Sequence, residues 1–307
     1  MPSLAGGAAQ GTGRFSAAER AAVAAIILIW GINNVAAKVA TDVLPPLLVG
    51  GLRFAMALVL LAPFIRPPFP EPRRLLLIML LAGPLHFSAV YLGFALSRNL
   101  SPYVVSLQLW IPMTAVFAWW LLGERMRPIA IAGLAIAMIG VTWMTLDPNG
   151  GADPPAILIG VAASAMWALA TVLVRRTPGV KPLKMQALTA LVAAPVLLGA
   201  SAAFDTDIPG KLREATPLVW VALAWAGIVS SIAATALLFW LVQRREAGRV
   251  TPYLLLTPVV SCTLGVLLLG DAMSAQVVMG AAATLVGVAV VSLAERRAQA
   301  KELPTPT

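Results

Sequence analysis

Ten apolar stretches, each long enough to cross a bilayer, account for nearly all of this 307-residue chain. About 20 consecutive apolar residues span the hydrocarbon layer. The sequence predicts helices over 21–41, 46–66, 74–97, 102–122, 128–146, 155–175, 182–204, 216–241, 251–270 and 274–294. Turn residues separate them: Pro45-Pro46, Pro67-Pro68 with Pro70 and Pro72, Asp147-Pro148-Asn149-Gly150-Gly151, Pro178-Gly179, and Gly270-Asp271 between the last two. The connections are too short to hold a water-soluble domain. Composition agrees, with 60% hydrophobic and 11% charged residues, too little charge to cover a soluble surface. The expected fold class is an all-α integral membrane protein.

The chain also repeats itself once. Trp30-Gly31-Ile32-Asn33-Asn34-Val35-Ala36-Ala37-Lys38 opens the first half and Trp167-Ala168-Leu169-Ala170-Thr171-Val172-Leu173-Val174-Arg175 the second, each a tryptophan with a cation eight residues on. Leu121-Leu122-Gly123-Glu124 is matched by Leu268-Leu269-Gly270-Asp271, and the pair Gly133 and Gly140 by Gly280 and Gly287. Five spans fall in each copy, 21–147 and 154–294, flanked by tails 1–20 and 295–307. A repeat with an odd number of spans enters the bilayer in opposite senses in its two copies. Inverted repeats of this kind are the usual build of secondary transporters.

The net charge of +9 invites a nucleic-acid partner, and its distribution argues against one. If the N-terminus is cytoplasmic, 17 of the 22 Lys and Arg residues lie in the tails and even-numbered connections, among them Arg14, Arg20, Arg125, Arg127, Arg244, Arg245 and Arg249. The opposite side holds only Arg98, Lys211 and Arg213. This asymmetry predicts cytoplasmic N- and C-termini in a multi-pass protein of the inner (plasma) membrane. The first span, preceded by Arg14 and Arg20, reads as a retained helix and not as a signal peptide, since nine more follow. The single Cys262 has no partner for an internal disulfide and reads as a small apolar residue.

At these motifs the chain resembles the EamA-type members of the drug/metabolite transporter superfamily. The resemblance rests on Trp30-Gly31 with Asn33 and Lys38, Arg53-Phe54, Pro112, Leu122-Gly123-Glu124-Arg125, and Gly133 to Gly140. In the second half it rests on Trp167, Arg175, Pro258, Gly265, Leu269-Gly270-Asp271, Gly280 and Gly287. It covers roughly 20–294, with Asp271 where such proteins usually carry Glu. The resemblance implies ten helices in two inverted five-helix repeats around a central cavity. It also implies export of small metabolites, with amino acids, including aromatic ones, as one class. Drugs, sugar phosphates and lipid-linked sugars are the alternatives it leaves open.

The residues within spans carry what chemistry there is, because a charge in hydrocarbon costs about 2.5–3.5 kcal/mol on insertion scales. Lys38 lies near the outer end of its span with Asp42 as an i,i+4 partner, so an interfacial pair and a substrate-facing role both suit it. Arg53 is about two turns deep and requires a carboxylate, carbonyls or an anionic substrate group. His86, the only histidine, is either a proton carrier or an imidazole packed between helices. Asn33 and Asn34 cannot share one helical face, and at least one is expected in the bundle interior as helix glue or substrate ligand. Gln108 and Trp110 precede Pro112, and Thr257 precedes Pro258. Prolines at these places free an upstream carbonyl, and paired broken helices point to a binding site and its hinges. Trp119, Trp120, Trp143, Trp220 and Trp240 suit an interfacial belt, whereas Trp30, Trp110, Trp167, Trp225 and Tyr91 are candidate cavity walls. Pro84 and Pro195 are expected only to kink their helices, and the paired glycines read as scaffold.

Other function classes are disfavoured. One cysteine, one histidine and no paired buried carboxylates offer no metal site, cofactor site or acid/base pair. A lipid-processing enzyme acting through His86 and Ser88 is the alternative from another class. The expected partners are a small molecule and the lipid bilayer, without nucleic acid or an obligate protein partner. The absence of a mid-span Asp or Glu favours facilitated diffusion or exchange over proton coupling.

Overall fold

The computed structural model describes residues 15–123, 126–147, 152–177, 180–242 and 253–302. Arg14, Glu124, Arg125, the turn at 148–151, Pro178-Gly179, Arg244, Arg245, Arg249 and positions 251–252 of the expected ninth span lie outside them. Among the described residues nine helices are long and apolar enough to cross a membrane. They are α1 (Ala17–Thr41), α2 (Pro46–Phe64), α3 (Pro72–Leu96), α4 (Leu100–Leu122), α5 (Pro128–Thr145), α6 (Pro154–Arg175), α7 (Pro182–Phe204), α8 (Pro217–Leu238) and α10 (Ala275–Ala294). Between the last two, α9 (Thr257–Leu269) is apolar but shorter. A short surface helix, Ile208–Glu214, sits between α7 and α8.

Local chemistry explains where these helices start and stop. Proline stands in the first turn of α2, α3, α5, α6, α7 and α8. There its missing N–H has no intrahelical acceptor to disappoint, and its fixed φ already suits a helix. At α1, Ser16 and Glu19 close a reciprocal capping box, with Ser16 N donating to Glu19 Oε2 at 2.7 Å and Glu19 N to Ser16 Oγ at 3.2 Å. The two matched glycines, Gly123 and Gly270, end α4 and α9 in the left-handed region at φ 70° and 74°, which glycine adopts without a Cβ penalty.

Two helix pairs make the most extensive individual contacts between the halves. In α5 and α10 the matched glycines meet: a Cβ at Gly133 would stand 2.8 Å from Gly287 O, and one at Gly280 would stand 2.6 Å from Gly140 O. The order of contacts, 133 with 287 and 140 with 280, makes the pair antiparallel. Small residues let the backbones approach, and close packing replaces the hydrophobic drive that lipid removes. In α2 and α7, Phe54 packs on Ala190, Ala193 and Ala194, and Ala57 and Leu61 pack on Ala187, again antiparallel. Around these pairs α3 lies on α6, α1 on α8, α4 on α6 and α1 on α9.

The proline-marked breaks occur in both halves. Residues 108–109 interrupt α4, and residues 255–256 form a turn before α9. Pro112 has no N–H to offer the Gln108 carbonyl, which instead accepts from Ile111 N at 3.2 Å. Pro258 opens α9 in the same way, and Leu256 N donates to Tyr253 O at 3.0 Å. The sequence did not suggest the wider π turns at Leu81–Leu85 in α3, which holds Pro84, at Trp225–Ala234 in α8, and at Gly265–Leu269 in α9. Pro195 lies inside α7.

The polar span ends are tied. Asp271 accepts from Leu100 N at 3.0 Å and Ser101 N at 2.7 Å, so it caps the start of α4. Arg98 Nε donates to the buried Asp153 at 2.8 Å, and Lys38 pairs with Asp42. Trp119, Trp120, Trp143 and Trp220 are exposed on the outer face, as an interfacial belt requires. Trp240 is half-buried against α1. Cys262 is half-buried with its Sγ 3.8 Å from Ser101 O.

The glycine contact yields a direct check. Gly140→Leu places a side chain against Thr284 N and Gly280 O, and overpacking of this kind costs about 1–3 kcal/mol. Thermal unfolding in detergent is expected to show a clearly lowered midpoint for Gly140→Leu. Gly199→Ala, which has open space around the new Cβ, should be close to neutral.

Candidate substrate cavity

A cavity of about 550 Å³ lies between the halves, walled by α1, α2, α3, α6, α7 and α8. Towards the middle of the helices its lining includes Trp30, Arg53, Phe54, Phe87, Trp167, Thr171, Ser230 and Ser231. It continues through Met185, Gln186, Thr189 and Thr235 to Val174, Arg175, Val180 and Pro182, where α6 ends and α7 begins. Six crossings return the chain to the side on which α1 starts, so this end of the cavity lies on the N-terminal side. Towards the opposite side the bundle is filled by Leu44, Leu48, Tyr91, Phe94, Leu100, Tyr103 and Leu223.

Arg53 is the electrostatic centre. It is buried eight residues into α2, and helix rise alone places it about 11 Å from the helix start. Nη1 donates to Tyr91 Oη at 3.0 Å and Nη2 to Ser231 Oγ at 3.4 Å. The guanidinium also stands over the Phe87 ring, 4.8 Å from its centroid, an arrangement that stabilises a cation. Phe54 meets Phe87 edge-on at 4.8 Å. Nε is buried with no hydrogen-bond partner. No Asp or Glu is among the described lining residues.

The π turn of α8 shapes the opposite wall. A wider turn releases backbone carbonyls from the i→i−4 ladder, and side chains take them up here. Ser231 Oγ donates to Ala226 O at 2.9 Å, and Gln186 Nε2 donates to Ser231 O at 2.8 Å. Gln186 therefore links α7 to α8 while lining the cavity.

The structure distributes the sequence candidates unevenly. Trp30, Arg53 and Trp167 line the cavity. Tyr91 does not; it is fully buried behind Arg53 and holds its guanidinium. His86 likewise sits behind the wall, with Nδ1 2.8 Å from Ala163 O and its ring 4.9 Å from that of Trp167. A carbonyl only accepts, so the proton of this contact is on Nδ1. Asn34 Nδ2 donates to Ser261 Oγ at 2.9 Å and ties α1 to α9, while Asn33 Oδ1 is buried without a partner. Trp225 Nε1 donates to Ile29 O at 3.1 Å and ties α8 to α1. Gln108, Trp110, Pro112, Thr257 and Pro258 belong to the two helix breaks and lie outside this lining, with Thr257 Oγ1 buried and unpartnered. Phe87, Thr171, Gln186, Ser230 and Ser231 are lining residues that the sequence motifs did not single out.

The sequence profile of the EamA-like transporter family matches twice, over 20–146 and 154–293. The chain belongs to the EamA-like transporter family. It is thus a multi-pass membrane transporter. Among its relatives, the "Probable amino-acid metabolite efflux pump" of Salmonella typhimurium is 26% identical over 273 residues, 85% of this chain and 90% of that protein. The Escherichia coli protein of the same name is 25% identical over 275 residues, again 85% and 90%. The "Uncharacterized inner membrane transporter YedA" of Escherichia coli is 26% identical over 293 residues, 93% and 94%. One solved crystal structure shares the fold, with a TM-score of 0.60 at 21% identity over 93% of this chain and 100% of that one.

The partnership of Arg53 with Tyr91 is testable by itself. Tyr91→Phe removes one hydroxyl and leaves a buried charged donor unsatisfied, at a cost of about 1–3 kcal/mol. Chemical denaturation of the purified variant should show that loss, with the helical content of the folded state unchanged.

Proposed function

We propose that this EamA-family transporter exports small metabolites with an apolar body and a polar end, amino acids with aromatic or other apolar side chains among them. It does so by alternating access between two inverted five-helix repeats. The observation that carries this reading is the buried Arg53 guanidinium set in a cavity walled by Trp30, Phe87 and Trp167. Aromatic walls favour an apolar body, and a single cation orients one polar group. The names of the Salmonella and Escherichia coli relatives support a metabolite class that includes amino acids.

The repeat reading draws support from the pairing of helices. Numbering each half from its start, α2 packs on α7 and α5 on α10, which are like with like. The contacts of α3 with α6 and of α1 with α8 are equivalents of each other, as are those of α4 with α6 and of α1 with α9. A two-fold relation between halves of opposite sense generates this pattern. Pro112 and Pro258, at matched breaks, give α4 and α9 places to bend as the halves rock. The excess of Lys and Arg on the N-terminal side supports cytoplasmic termini in an inner membrane, and the cavity then faces inward. With no carboxylate among the described lining residues, we read the cycle as facilitated diffusion or exchange.

Counterflow in proteoliposomes tests the proposal. Vesicles loaded with unlabelled amino acids should accumulate labelled phenylalanine or leucine without a pH gradient. Arg53→Ala, Trp30→Ala and Trp167→Ala should each lower the initial rate by tenfold or more, roughly the effect of losing 1.4 kcal/mol. Unchanged rates in all three folded variants would place the transport site elsewhere. Flux of hydrophobic cations or lipid-linked sugars in place of amino acids would favour the drug or lipid-linked substrate class.

A further inference from the structure

We infer that the cavity selects by charge: it takes carboxylates with an apolar or aromatic body and no free ammonium group in preference to the corresponding zwitterionic amino acids. This rests on the reading that the cavity is the transport site and refines the substrate class within it.

The argument starts from what Arg53 still lacks. A guanidinium has five N–H donors. Two of them are used, by Tyr91 Oη and Ser231 Oγ, and five less two leaves three, including the buried Nε. Both partners are neutral oxygens, so the charge itself is not balanced. The Phe87 face offsets part of it, but a ring quadrupole is a weak substitute for an anion. No Asp or Glu occurs among the described lining residues. A planar carboxylate matches the guanidinium fork and supplies the missing charge in one contact.

An ammonium group finds no carboxylate among the described lining residues. The carbonyls released by the π turn are occupied, Ala226 O by Ser231 Oγ and Ser231 O by Gln186 Nε2. The Phe87 face is covered by Arg53. The remaining oxygens are neutral. Within the bundle, where the effective dielectric is below that of water, a second cation near a fixed guanidinium is repelled more strongly than in water. The cavity is therefore built for one negative group on an apolar body, and a positive group on the ligand lowers its affinity.

Three ligands that share a phenyl ring and a two-carbon spacer separate the contributions: 3-phenylpropionate (carboxylate only), phenylalanine (both groups) and 2-phenylethylamine (ammonium only). Calorimetric titration of the detergent-purified chain should show 3-phenylpropionate binding at least about tenfold tighter than phenylalanine, with 2-phenylethylamine weakest. In Arg53→Gln the order should collapse. Because that variant can fail to fold, the wild-type order alone decides the matter. Phenylalanine binding as tightly as 3-phenylpropionate, or no binding of any of the three, overturns the inference. If phenylalanine counterflow proceeds without this order, charge selection fails and the transport reading stands. If no labelled metabolite moves at all, the transport reading itself fails.

Discussion

A permanent positive charge held two turns into a membrane helix is the constraint around which the centre of this molecule is organised. Leaving a guanidinium such as that of Arg53 bare in hydrocarbon costs several kcal/mol, about 2.5–3.5 on insertion scales. Its immediate surroundings answer that cost: the Tyr91 hydroxyl and the Phe87 face come from α3 and the Ser231 hydroxyl from α8. Tyr91 is in turn fully buried, and Ser231 is positioned by the π turn of α8 through Ala226 O. Two of the helices that wall the cavity, α3 and α8, therefore also supply the partners of the guanidinium, and the site and its stabilisation are one arrangement.

The rest of the bundle divides into a fixed part and parts with room to move. The α5 and α10 contact runs glycine to glycine with backbone atoms in touch, and the α2 and α7 contact is alanine-rich. Neither leaves space for a side chain to repack. The breaks before Pro112 and Pro258 have the opposite character, with hydrogen bonds rerouted by one residue and an unsatisfied hydroxyl at Thr257. On the side away from the cavity mouth the halves are joined by polar ties, Asp271 to the start of α4 and Arg98 to Asp153. Such ties are broken at lower cost near water than in hydrocarbon, which suits the proposed opening of this side.

Much of the fold was legible because a bilayer imposes length. Apolar runs bounded by proline and glycine marked the nine long apolar helices to within a few residues, and the seven-residue glycine spacing marked α5 and α10 as closely packed scaffold. Arg53, Trp30 and Trp167 stood out as a charge and a matched aromatic pair where neither is expected. Gln186, Ser231 and Thr171 did not, because a polar residue on an apolar helix reads the same whether it faces a cavity or ties two helices. Asn34 and Trp225 illustrate the converse, since both looked like cavity residues and both bond across helix contacts. The π turns also left no mark in the sequence. They arise where a helix accommodates its neighbours, and that is settled by packing in three dimensions.

The central claim is that this cavity is the compartment that alternates between the two sides of the membrane. Gln186 lines it midway between Arg53 and the mouth, so a single cysteine there reports access. In a Cys262→Ser background, Gln186→Cys should react with a membrane-impermeant thiol reagent from the N-terminal side of the membrane, and a transported substrate should change that rate. Labelling from neither side, or labelling indifferent to every transported substrate, would contradict the account.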